Sequence, residues 1–171
     1  MIVRRNKQRW DPQPTQSAGV VVVSDGTREI STRAVARAAA LAAELSCPAT
    51  VVIVARIHGT QFGLPHPGLM PSKQELLARV GWVEHAVSTL KRSGVDADGQ
   101  VASTRHAVKS IAKIARVRGA SVVVIDAAAT TGVRKMIEGD PGSELRRRFK
   151  RSKDPITVEI VPAAVPSRGV R

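Results

Sequence analysis

A single cysteine, Cys47, no tyrosine at all, and only Trp10, Phe62, Trp82 and Phe149 as aromatic residues are the first scarcities of this 171-residue sequence. One thiol excludes an internal disulfide and fits a reducing compartment. Cys47 stands between a helix pattern and a strand pattern and reads as a small core residue. So few rings exclude the stacking platform that grips single-stranded nucleic acid. No apolar run approaches the roughly 18 residues that span a bilayer. The opening Met1-Ile-Val-Arg-Arg-Asn-Lys also lacks the apolar centre of a secretory signal. A cytoplasmic protein with no membrane partner is expected. Negative charge is scarce too: 27 Lys and Arg stand against 14 Asp and Glu, a formal net charge of +13. That excess points to polyanionic partners such as RNA, DNA or the ribosome.

What is present is alternation. Residues 1–17 carry Arg4, Arg5, Lys7 and Arg9 before Asp11-Pro-Gln-Pro and read as a basic N-terminal arm, either a solvated tail or a contact arm. Ala18 to Ser24 is a continuous apolar run, as a strand buried on both faces requires. It ends at Asp25-Gly26-Thr27. Apolar residues recur at helical spacing from Glu29 to Leu45, many of them alanine, which allows close packing on a sheet. Ala49 to Ile57 is a second strand. The Gly- and Pro-rich stretch 58–71 holds His58 and His66, a histidine pair without further metal ligands nearby. A helix starting at Pro71-Ser72 has the stripe Leu76, Val80, Val83, Val87, Leu90 and stops at Ser93-Gly94. His85 on it reads as structural. Val95 to Ser103 reads as a third, edge strand, followed by a helix over 105–118, the strand 120–126, a helix over 143–153, and the strand Ile156–Val161. Strands alternating with helices predict an open parallel sheet with helices on both faces. The domain is expected to cover 18–162, with 163–171 as a flexible tail.

Two of these helices are one-signed. On the first, Val108, Ile111, Ala112 and Ala115 form the core face. Arg105, Lys109, Lys113 and Arg116 recur on another face with no acidic residue between them. On the last, Leu145 and Phe149 are the only apolar anchors among Arg146, Arg147, Arg148, Lys150, Arg151 and Lys153. Solvated helix faces normally interleave both signs. Two readings stand, a solvated face and a polyanion-binding stripe, the latter with Arg134 and Lys135 of the preceding loop as further candidates.

Val20-Val-Val-Val-Ser-Asp-Gly-Thr27, Ser121-Val-Val-Val-Ile-Asp126 and Asp154-Pro-Ile-Thr-Val-Glu-Ile-Val-Pro162 together resemble the universal stress proteins, over roughly 18–162. The resemblance implies a Rossmann-like sheet of five parallel strands in the order 3-2-1-4-5 and a homodimer formed through the last strand. Ile156, Val158 and Ile160 would supply an apolar face for such a dimer. It also implies an ATP site beside strands one and four, with Asp25 at the adenine and Gly26 and Thr27 adjoining it. In ATP-binding members the loop after strand four reads Gly-x2-Gly-x9-Gly-Ser/Thr, and the matching positions here are Asp126, Ala129, Gly139 and Asp140, followed by Gly142 and Ser143. Alanine resists the positive φ that glycine allows. Asp126 brings negative charge toward a bound anion, and Asp140 before Pro141 suits a helix N-cap that uses the amides itself.

No nucleophile–base pair, Walker-type lysine loop or metal-ligand cluster is visible. An acidic pair of Asp25 and Asp126 around Mg²⁺ lacks the rest of a phosphoryl-transfer site. The sequence therefore predicts a non-enzymatic, universal stress protein-like regulator without a cofactor and with a degenerate ATP motif, contacting RNA, DNA or the ribosome through its basic helices. The alternative is an ATP-binding regulator of the ordinary kind.

Overall fold

The computed structural model describes residues 19–56, 71–127, 141–151 and 155–162. Its elements, in chain order, are β1 (Gly19–Ser24), α1 (Thr32–Glu44), β2 (Ala49–Arg56), α2 (Lys73–Arg92), β3 (Ala97–Thr104), α3 (Ala107–Val117), β4 (Ala120–Ala127), α4 (Pro141–Lys150) and β5 (Thr157–Pro162). The strands form one all-parallel sheet in the order β3-β2-β1-β4-β5, the expected order, with β3 and β5 at its edges. The N-terminal arm, the C-terminal tail, His58 and His66 lie outside the described residues.

The central strand explains the run of valines. All six residues of β1 are buried, because helices cover both faces of the sheet. Val20 and Val22 join a core with α1 and α2, while Val21 and Val23 join a second core with α3 and α4. On α1, Ala34, Ala38 and Ala42 recur every fourth residue and are buried against the sheet. The helix starts at Thr32, later than its periodicity suggests, because Ser31 is its N-cap and accepts from the Ala34 amide at 3.2 Å. Leu45, expected on the stripe, is the C-cap and is exposed. Cys47 is buried as expected, and burial pushes its thiol pKa up, away from nucleophile chemistry at neutral pH.

On α2, Ser72 and Glu75 form a capping box, each side chain meeting the other's backbone amide. The full apolar stripe is not buried. Val83, Ala86 and Leu90 are, Leu76 and Val87 are half-buried, and Val80 is exposed. The tight end is set by Gly99 on β3, where an added Cβ would stand 2.4 Å from Val83 Cγ1. The missing side chain lets the C-terminal half of α2 lie directly on the sheet edge.

The last strand departs from its expected use. Ile156 and Val158 are buried in the core with Leu145 and Phe149, and Ile160 packs partly against the same core. They face inward because α4 returns the chain over this side of the sheet. The apolar dimer face expected from these residues is therefore spent within the domain. The other side of β5 carries Glu159, which accepts from Arg37 Nε at 2.6 Å and Nη2 at 3.0 Å. That pairing holds the Glu159 carboxyl below the usual carboxylate range and raises the Arg37 pKa.

Candidate functional site

The chain leaves β1 and β4, which are neighbours, toward opposite sides of the sheet. Such a switch point opens a crevice at the strand C-termini, where open α/β sheets receive ligands. Two carboxylates stand there. Asp25 follows β1, and Asp126 lies in register with Ser24 near the end of β4.

Asp126 does not face an open pocket. It is 3% exposed, and its oxygens reach across to the segment after β1. Oδ2 accepts from the Ser31 amide at 2.8 Å, and Oδ1 accepts from Ser31 Oγ at 2.8 Å and Arg28 Nη2 at 3.1 Å. Ser31 Oγ in turn accepts from the Ala34 amide. A carboxylate is thus linked through one hydroxyl to the first turn of α1, where the helix dipole favours negative charge. Arg28 partly offsets the Asp126 charge, and the helix start uses it. Neither Arg28 nor Ser31 was singled out in the sequence. A serine before an apolar period signals an N-cap, but the carboxylate that orders it lies 95 residues away.

Asp25 is half-buried and turned into its own loop. Its Oδ1 accepts from the Thr27 amide at 3.0 Å and from Thr27 Oγ1 at 2.7 Å, an arrangement that closes the turn locally. Gly26 has φ +72°, and a Cβ there would meet the Val54 carbonyl oxygen at 2.7 Å, so no other residue fits. Arg79 Nε donates to the Gly26 carbonyl at 3.1 Å, while Arg79 Nη1 is buried without a partner among the described residues. Asp25 and Asp126 share no donor, and no group of His, Cys, Asp or Glu able to hold a metal occurs among the described residues. His85 is exposed on α2, 3.9 Å from Glu29.

Of the expected nucleotide-loop residues, Ala129, Gly139 and Asp140 lie outside the described residues, as do Arg134 and Lys135. Gly142 is buried and Ser143 exposed in the first turn of α4.

The second candidate is the outer surface of α3 and α4, which cover the same side of the sheet. Lys109, Lys113 and Arg116 are exposed on α3, and Arg146, Arg147, Arg148 and Lys150 on α4. Arg105 precedes α3 and Arg151 follows α4, so both flank their helices, exposed, where the sequence placed them within. Glu144 is the one acidic residue on either helix. Two of the cations are engaged: the Arg116 guanidinium lies 5.8 Å from the centroid of the Phe149 ring, and Arg146 Nε donates to the Val158 carbonyl at 3.3 Å. The others make no ion pair or hydrogen bond with described residues.

No protein-family model matches this chain, and neither does any curated protein. Solved structures do match in fold. A protein of the universal stress protein family from Burkholderia pseudomallei superposes with a TM-score of 0.60 at 19% identity, covering 88% of this chain and 100% of that one. A universal stress protein in complex with cAMP gives 0.59 at 21% identity, over 85% and 97% of the two chains. The universal stress protein from Archaeoglobus fulgidus in complex with dAMP gives 0.55 at 17% identity, over 85% and 98%. The chain has the universal stress protein fold. None of its described helices is long and apolar enough to cross a membrane.

Proposed function

We propose that this protein is a universal stress protein-like regulator of the stress response without catalytic activity. In this reading it acts in the cytoplasm, holds no ATP tightly and contacts RNA, DNA or the ribosome through α3 and α4. The observation that carries the reading is the Asp126 bridge. Structural neighbours form complexes with cAMP or dAMP, and the crevice between β1 and β4 is spanned here by a buried carboxylate bonded to Ser31 and Arg28. A nucleotide phosphate brought beside it finds these donors already taken. The exposed cations of α3 and α4 without a partner among the described residues supply the other half, since phosphate contacts give affinity without sequence information. Calorimetric titration of the nucleic acid-free protein with ATP and Mg²⁺ should give no heat and leave the Tm unchanged. Micromolar binding would overturn the reading. Self-association through the open edge of β5 belongs to the same proposal, and sedimentation of the full chain tests it.

A second reading has one observation in its favour. Arg79 Nη1, buried and unpartnered among the described residues beside Gly26, suits an anionic ligand at the turn after β1. On this reading the protein is a nucleotide-binding regulator. Arg79→Ala would then abolish a calorimetric ATP signal present in the parent.

A further inference from the structure

The two edges of the sheet are unequally protected. An unpaired strand edge is a template for another strand, and folded proteins blunt it with proline, lysine, a bulge or shortness. β5 has six residues, holds Glu159 and ends at Pro162. β3 has eight, Ala-Asp-Gly-Gln-Val-Ala-Ser-Thr, with neither a proline nor a basic residue. Its register with β2 runs from Ala49↔Ala97 to Arg56↔Thr104 without a bulge. Its one charge, Asp98, is held by Arg118 of the chain itself. No described residue pairs with its outer side.

The backbone groups on that side can be named. The Ala49 amide donates to the Asp96 carbonyl at 2.9 Å. Backbone groups alternate sides along a strand, so Asp98, Gln100 and Ala102 bond to β2, while Ala97, Gly99, Val101 and Ser103 turn theirs outward. Gly99 and Ser103 are exposed.

What flanks this row selects its occupant. Asp96 stands exposed before β3, and Arg105 and His106 stand exposed after it. A strand acidic at its start and basic at its end complements its own copy run antiparallel, because each start then lies beside the other's end. Two copies so placed share a twofold axis, the commonest symmetry of oligomers. With the axis at Val101, the outward groups of Gly99 meet those of Ser103 in the second copy, and Asp96 falls opposite His106. The net charge of +13 works against two copies meeting. Opposite charges at both ends of the ribbon offset that repulsion locally.

We infer that β3 is a self-association edge, through which two copies of this chain pair antiparallel into one continuous sheet. The inference does not depend on the nucleotide or polyanion readings, and it is separate from association through β5.

Sedimentation velocity of the nucleic acid-free full chain tests it. The parent should form dimers reversibly. Ser103→Pro removes one outward amide per copy and should weaken association at least tenfold while the variant stays folded, since an edge strand tolerates proline where the amide faces out. Asp96→Lys and Arg105→Glu should each weaken association about fivefold, because each lost pair occurs twice across the axis. An equimolar mixture of these two variants should recover parental association, since each reversed charge then meets its opposite. A parent that stays monomeric up to about 0.5 mM overturns the inference. Association that Ser103→Pro leaves intact overturns it as well and leaves β5 as the edge in use. Should Ser103→Pro fail to fold, the charge variants decide. Single variants that associate like the parent, or a mixture that recovers nothing, overturn the second copy as the occupant of this edge.

Discussion

The two sides of the sheet are covered by helix pairs built on opposite terms. α1 and α2 carry three acidic residues, Glu44, Glu75 and Glu84, among six basic ones. Both helices open on side-chain caps, and Arg37 on this side finds an opposite charge in Glu159. α3 and α4 carry seven basic residues with Glu144 alone against them, and α3 begins without a side-chain cap bond. Like charges a turn apart on a helix repel. One side is composed as stability alone would compose it. The other carries repulsion that a bound polyanion would relieve, as the proposed interface requires.

Four experiments sharpen or break that contrast. The largest effect belongs to Phe149→Ala. α4 rests on Leu145 and Phe149, both fully buried, so urea unfolding should show a loss of about 3–5 kcal/mol. A loss below about 1.5 kcal/mol would mean that α4 is held by something other than its two anchors. Next comes the pair of charge reversals. Arg147→Glu/Arg151→Glu should cost about a hundredfold in nucleic acid affinity, near 2.7 kcal/mol, without lowering the Tm. The matched change on the other side, Lys91→Glu/Arg92→Glu, should stay within about twofold. Equal losses from both would erase the distinction between the faces.

Third is the link between strand and helix. Asp126→Ala strands the Ser31 amide and hydroxyl and should reduce stability by about 2–3 kcal/mol, with Asp126→Asn, which keeps one of the two acceptors, costing less. Denaturant midpoints of the two variants measure it, and an unaffected alanine variant would show that the bridge is ornamental. The smallest effect is pH-linked. Pairing with Arg37 holds the Glu159 pKa below its usual value. Its contribution is therefore complete above the ordinary glutamate pKa of about 4.3 and is lost as pH falls through the lowered value. Arg37→Gln should remove that acid-side component from the Tm–pH curve and leave the neutral plateau almost unmoved, since both partners are partly exposed.

The strand run Val20–Val23 shows why much of the fold was legible. Four consecutive buried β-branched residues fit only a strand covered on both sides, and the spacing of Ala34, Ala38 and Ala42 fits only a helix lying close on it. Both signals are local, so both survive in a linear reading. The site was less legible. Gly26 was visible as a turn, but the partners of Asp126 were not, because its pairing depends on which strands become neighbours. The alternation of Ile156, Val158 and Ile160 marked them as sharing a face, yet it carried no information on what covers that face.

Sequence alone determined the elements, their alternation, the two covered faces of the central strand and the excess of positive charge, since periodicity and composition are properties of neighbouring residues. Tertiary structure decided which charges stand together. The crossovers carry α3 and α4 to one side, so two stripes 30 or so residues apart become one surface. The same crossovers bring β4 beside β1, and there Asp126 meets the start of α1. Period and propensity act over a few residues, whereas a carboxylate's role depends on the donors that folding places within 3 Å of it.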